Sequence, residues 1–258
     1  MSARIEIVAT ERTDCTDREV GRFVLPHGGS PVDELAARGW VPVPPTQGTG
    51  RRDGQLFEHL PPAQSAVTEP GEPWTVTITY AVRAASPIGP GATDTVTHDE
   101  DLTDAEVANA EVYQRIAAYA FVSSSRGLLL TELSDATNAS GQWNLPGGGL
   151  DEGEPVDDAL RREIWEEAGQ RVDKATLLGV LSSHWVGRAP RGRIEDYHAV
   201  RLIHRATCPE PTDPVIHDLG GSTSAVRWVP WTDVGQVPLV GSFASLIREV
   251  TGRHLAGS

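Results

Sequence analysis

Between Gly148 and Gln170 the chain admits one local structure, a glycine-rich approach leading into a helix with three glutamates on one face. Pro155 suits a first helical position, where the missing N–H is no loss, and Asp157 and Asp158 complement the helix dipole in the first turn. Val156, Leu160, Ile164 and Ala168 recur every four residues and make an apolar stripe. Gly169 is a natural C-terminal cap, so a helix is predicted over Pro155–Ala168. Glu163, Glu166 and Glu167 stand at i, i+3 and i+4, where like charges cost about 0.2–0.5 kcal/mol per pair in a bare helix. Such a face is either simply wet or holds a divalent cation. Hard oxygen ligands suit Mg²⁺ or Mn²⁺, and the glycines ahead of the helix let backbone come close to a ligand. Phosphates would meet such a cation, and a water activated on it could attack phosphorus.

The spacing has a counterpart. Gly148, five residues, Glu154, seven residues, then Arg162-Glu163-Ile164-Trp165-Glu166-Glu167-Ala168-Gly169 resembles the Nudix box, with all seven of its fixed identities present. Leu145-Pro146-Gly147 looks like the usual approach to that box. The resemblance implies a Nudix-type pyrophosphohydrolase, cleaving a pyrophosphate bond in a nucleoside diphosphate linked to another moiety. It assigns the metals to Glu163, Glu166, Glu167 and the Gly148 carbonyl, and an orienting ion pair to Arg162. Glu154 would support the loop or the outer metal shell. The general base varies in the family, and Glu195 is the candidate here, with Asp196 beside it. The box normally closes on an apolar residue. Here Gln170 stands in that place, which predicts weaker packing at the helix exit and leaves the chemistry untouched.

The rest of the chain narrows the setting. With 258 residues and a formal net charge of -14, it lacks the clustered cations that track a nucleic-acid backbone, and no basic amphipathic stretch suits an anionic membrane. Cys15 and Cys208 show no metal spacing and no disulfide framework. With no apolar leader or spanning run, a cytoplasmic location is expected. Strands are predicted at Ile5–Ala9, Gly21–Leu25 and Trp74–Ala85, and a short helix at Pro31–Arg38; 44–54 is read as loop. Residues 86–106 read as a linker whose acidic end, 99–106, is solvated loop or the first turn of a helix. Beyond it, strands are expected at Ile116–Ser123, Gly127–Glu132, Leu177–His184, Asp196–Arg205 and Ser224–Trp228, with a Gly-rich loop at Gly141–Gly149 and a terminal helix at Ser242–Val250. The expected architecture is α+β. A Nudix-like α/β/α sandwich with a mixed sheet occupies 107–258, preceded by a smaller α+β N-terminal domain over 1–100.

For the substrate, a nucleotide-type small molecule, Arg188, Arg191 and Arg193 are candidates to hold phosphate, and Trp185 is a candidate to stack on a base. Trp143, Trp228 and Trp231 read as core, and His184 and His198 as ordinary residues without metal spacing. Some family members acting on ADP-ribose carry a proline where this chain has Trp185, which weighs against that substrate. The alternatives are a catalytically silent nucleotide sensor and an isomerase working through Cys208. Neither nucleic acid nor membrane is expected as a partner, and a homodimer stays open.

Overall fold

The computed structural model describes residues 4–12, 17–43, 63–67, 74–87, 96–189 and 192–257. The predicted loop at 44–54, Cys15, Arg191 and much of the linker lie outside them. In chain order the elements are β1 (Arg4–Arg12), β2 (Asp17–Val24), α1 (Pro31–Ala37), β3 (Trp40–Pro42), β4 (Ala63–Val67), β5 (Thr75–Ala84), β6 (Thr97–His98) and α2 (Asp104–Ala108). Then follow β7 (Glu111–Ser124), β8 (Gly127–Leu133), β9 (Trp143–Asn144), β10 (Gly147–Gly149), α3 (Val156–Ala168), β11 (Thr176–Arg188), β12 (Ile194–Thr207), β13 (Thr223–Val229), a 3-10 turn (Trp231–Gln236) and α4 (Gly241–Gly257). The chain divides into two compact units, one of Met1–Ala117, Gly149–Val156 and Leu177–Leu202, the other of Ala118–Gly148, Asp157–Thr176 and Ile203–Ser258.

The first unit contains a sheet ordered β2-β1-β5-β3, with β4 also on β5. Its mixed character comes from β1, which is antiparallel to β2 and parallel to β5. The register sets Ile5, Ile7 and Ala9 beside Val76, Ile78 and Tyr80, and all six are buried. The strict alternation of Val76, Ile78, Tyr80 and Val82 on β5 thus becomes one covered face, as period-2 geometry requires. Pro31 opens α1, and Gly39 at φ 81° ends it where an added Cβ would lie 3.0 Å from the Ala85 carbonyl oxygen. In the same unit β11 pairs with β6 in parallel, Trp185 beside Thr97. The acidic stretch turns out to be a capped helix start. The Thr103 hydroxyl accepts from the Glu106 N–H, and the Glu106 carboxylate accepts from the Thr103 N–H.

In the second unit, β8 pairs antiparallel with β13, with the end of β7 and with β9. The segment expected as plain loop, Gly141–Gly149, carries β9 and β10. The Trp143 N–H donates to the Pro238 carbonyl and the Trp143 carbonyl accepts from the Val240 N–H, so the backbone of this segment finds partners in the residues just ahead of α4. Both β7 and α4 run longer than the alternation and periodicity predicted, because pairing and packing carry an element beyond its most regular stretch.

Candidate functional site

Helix α3 forms as its pattern predicts. Val156, Leu160, Ile164 and Ala168 are all buried, and Ala159 joins them. The helix exit is satisfied by chain from 215–218. Val215 N–H donates to the Ala168 carbonyl, and His217 and Asp218 both donate to the Glu166 carbonyl. Gly169 sits at φ 64°, where its N–H reaches the Trp165 carbonyl. Gln170, expected to weaken this exit, does the reverse. It is 2 % exposed, and its side-chain amide donates to the Ala168 carbonyl at 3.1 Å and to Thr212 Oγ1 at 3.0 Å. Its carbonyl oxygen accepts from the Thr212 N–H at 3.1 Å and from the Cys208 thiol. A buried amide with every group matched replaces an apolar plug, because a polar partner segment runs past it.

The three box glutamates lie along one face in a gradient of exposure. Glu166 is 38 % exposed, Glu163 16 %, and Glu167 is buried. Arg162 Nη1 donates to Glu163 at 3.0 Å and to Glu166 at 3.1 Å, holding two carboxylates from one guanidinium. Glu167 is fixed from the other side, by the Gly147 N–H at 2.9 Å and the Thr223 hydroxyl at 2.7 Å. Burial pushes its carboxyl up to about 7, against the pull of those two hydrogen bonds, with the charges of Glu163 and Asp218 adding to the rise. A Cβ on Gly148 would lie 2.6 Å from the Glu163 carboxyl group, so only glycine lets this backbone pass so near. A Cβ on Gly147, whose φ is 138°, would lie 2.2 Å from the Ala118 carbonyl oxygen. Carboxylates spaced along one helix and a close backbone segment supply oxygen donors of the kind a hard divalent ion takes. Glu154 lies in the first unit and accepts from the Asp151 N–H at 3.0 Å, bracing the loop before α3.

The remaining candidates are in the first unit. Arg188 donates to Glu106 at 3.0 Å and to Asp101, and its N–H meets Asp99 at 2.9 Å. Arg193 is held by Glu195 and lies 3.2 Å from Glu111. Glu195, the general-base candidate, is largely covered and engaged by that guanidinium. Trp185 packs on Tyr197 with ring centroids 4.2 Å apart, and Tyr197 on Tyr113 at 5.5 Å. Of the other tryptophans, Trp143 and Trp228 are buried and Trp231 stacks on His254. One grouping was illegible in the sequence. His27 and His184 both meet the same oxygen of Asp196; His184 precedes Asp196 by 12 residues and His27 by 169. The sequence carries no signal that would bring His27 to the other two, since it lies on a turn remote in the chain. Buried His198 lies beside them, and burial, followed by the neighbouring His27 and His184, pushes it down to about 4, so it is neutral near pH 7.

A family model described as the NUDIX domain matches residues 113–250, more than half of the chain. The nucleoside triphosphatase NudI of Enterobacter sp. (strain 638) is 41% identical over 61 residues, 23% of this chain and 43% of that protein. Nudix hydrolase 2 of Arabidopsis thaliana is 25% identical over 144 residues, 56% of this chain and 48% of that one. The chain thus spans under half the length of these curated relatives. Among solved structures, the NUDIX domain of Shewanella oneidensis NrtR, in complex with ADP ribose, aligns at 26% identity over 59% of this chain and 99% of its own, with a TM-score of 0.43. The MutT NUDIX hydrolase from Burkholderia pseudomallei aligns at 28% identity over 54% of this chain and 98% of its own, with a TM-score of 0.42.

Proposed function

Since the chain belongs to the NUDIX family, we propose that it is a divalent-metal-dependent hydrolase of the pyrophosphate bond in a nucleoside diphosphate linked to another moiety. The observation that carries this reading is the set of side chains fixed along α3: Arg162 holds Glu163 and Glu166, the Gly148 backbone passes close to Glu163, and Gly147 and Thr223 fix Glu167. In our reading the three glutamates and the Gly148 carbonyl hold Mg²⁺ or Mn²⁺. A bound ion of that kind supplies charge for the phosphate oxygens and lowers the pKa of water. Arg162 keeps two ligands in place, and the hydrogen bonds to Glu167 aim its oxygens before any ion arrives. For the base we propose Glu195, with Glu166, the most exposed box carboxylate, as its competitor. Trp185, already packed on Tyr197, is our candidate platform for a nucleobase. Arg188 and Arg193 each hold carboxylates, so a role in phosphate binding would require exchanging those partners. The hydrolase we assign to 107–258, and the 1–100 segment carries no function in this proposal.

The named relatives include a nucleoside triphosphatase and a domain complexed with ADP ribose, which support a nucleotide substrate and leave its class open. An isomerase working through Cys208 is disfavoured. That thiol is buried, raised by desolvation, and donates to Gln170. The test is a panel of nucleoside diphosphate derivatives and triphosphates with Mg²⁺ or Mn²⁺, products read by mass. Turnover of at least one, falling by more than about 100-fold in Glu166→Gln and Glu167→Gln at unchanged melting temperature, is expected. Binding without turnover across the panel would point instead to a silent sensor.

A further inference from the structure

Away from the box, the first unit gathers a second set of metal-ligating side chains. His27 lies in the turn between β2 and α1, His184 on β11 and Asp196 on β12. The Nε2 atoms of His27 and His184 approach one oxygen of Asp196 at 3.0 and 2.5 Å. One ligand atom from each residue lies within 4.8 Å of the other two. We propose that His27, His184 and Asp196 form a binding site for a borderline transition-metal ion of the Zn²⁺ class, distinct in chemistry from the all-oxygen box.

The donor set argues for the ion class. Two imidazole nitrogens and a carboxylate suit Zn²⁺, Co²⁺ or Fe²⁺, whereas Mg²⁺ takes oxygen almost alone. Zinc bonds of about 2.0–2.1 Å set neighbouring tetrahedral ligands roughly 3.3 Å apart, so loading asks the present contacts to open by less than about 1 Å. The side chains are 25 %, 15 % and 26 % exposed, enough cover to order them and enough opening to admit an ion.

The surroundings hold the histidines in place. Gly28, at φ 74°, lies against His184, and a Cβ there would be 2.5 Å from Nδ1 of that ring. The turn can therefore bring His27 this near only with glycine next to it. Ser182 donates its one hydroxyl hydrogen to the Gly29 carbonyl at 2.9 Å, so the 2.9 Å contact with His198 Nε2 has the histidine as donor. His198, fully buried, also packs edge-on against His27 and His184, at centroid distances of 5.4 and 6.2 Å. This chain of contacts ties the His27 turn to β11 and β12, as outer partners do around a metal site. A bound ion would clasp the same three segments.

The test uses Co²⁺ as the probe on the full chain, stripped with chelator and held in excess Mg²⁺ to occupy the box. One equivalent of Co²⁺ should bind and give visible d–d absorption. Affinity should fall at least about ten-fold in His184→Ala and Asp196→Asn, and should persist in Glu166→Gln. Zn²⁺ should raise the melting temperature of the parent protein and not that of Asp196→Asn, which keeps the shape and an acceptor for the histidines. Should Asp196→Asn fail to fold, His27→Gln on the turn carries the same comparison. No Co²⁺ uptake under Mg²⁺, equal uptake by parent and Asp196→Asn, or loss only in Glu166→Gln would each overturn the site. Because the box variant and the histidine variants are read separately, failure here leaves the hydrolase proposal standing, and the converse holds too.

Discussion

Glu167 shows how one side chain is prepared by neighbours remote in sequence. Its two hydrogen bonds come from Gly147 and Thr223, and burial sets its raised proton affinity. Thr223→Val should leave one oxygen unaimed and lower metal affinity or turnover by about 10–100-fold, measurable as the Mg²⁺ dependence of the rate. Gly148→Ala should push its Cβ into the Glu163 carboxyl and cost activity with little change in melting, since the clash is with a side chain and not the core. Gln170 gives the opposite lesson. Restoring the apolar residue usual at its position, Gln170→Leu, should destabilise by about 1–3 kcal/mol in urea unfolding, because it strands the Thr212 N–H and hydroxyl. An unchanged midpoint would show that water replaces the amide.

At the scale of elements, α3 divides its work between faces. Ile164 is fully buried, so Ile164→Ala should cost about 2–5 kcal/mol through the cavity it leaves, and activity should fall only as the folded fraction falls. Strand β5 sets a different test. Tyr80 is 1 % exposed, and burial raises its phenol above the ordinary 10.0. A folded-state value above the unfolded one means that stability is complete below about pH 10 and declines as pH rises past it. Tyr80→Phe should flatten that alkaline decline in a denaturation series, and an identical slope in both proteins would place the effect elsewhere. The α3 stripe and the β5 alternation were both legible in advance because each repeats at the period of its own backbone geometry. The lengths of β7 and α4 were not, because pairing partners and packing surfaces decide where an element stops.

For the molecule as a whole, the charge of -14 makes cation effects a matter of control. Mg²⁺ should raise the melting temperature above that in NaCl of equal ionic strength, by about 2.7 kcal/mol of stability at a hundred times its Kd. Equal melting in the two salts would reduce the effect to screening of repulsion. The sequence by itself determined what is local and periodic. A helix with one apolar and one carboxylate face, its glycine approach and cap, and the alternating strands each depend on neighbours within a few residues. Only the tertiary structure decided which partners those residues meet. It placed Thr223 on Glu167, Thr212 on Gln170, Glu106 on Arg188, and His27 with His184 on Asp196. The physical reason is that backbone geometry fixes spacing along a segment, whereas contacts between distant segments depend on how hydrogen bonding and burial are satisfied over the whole fold.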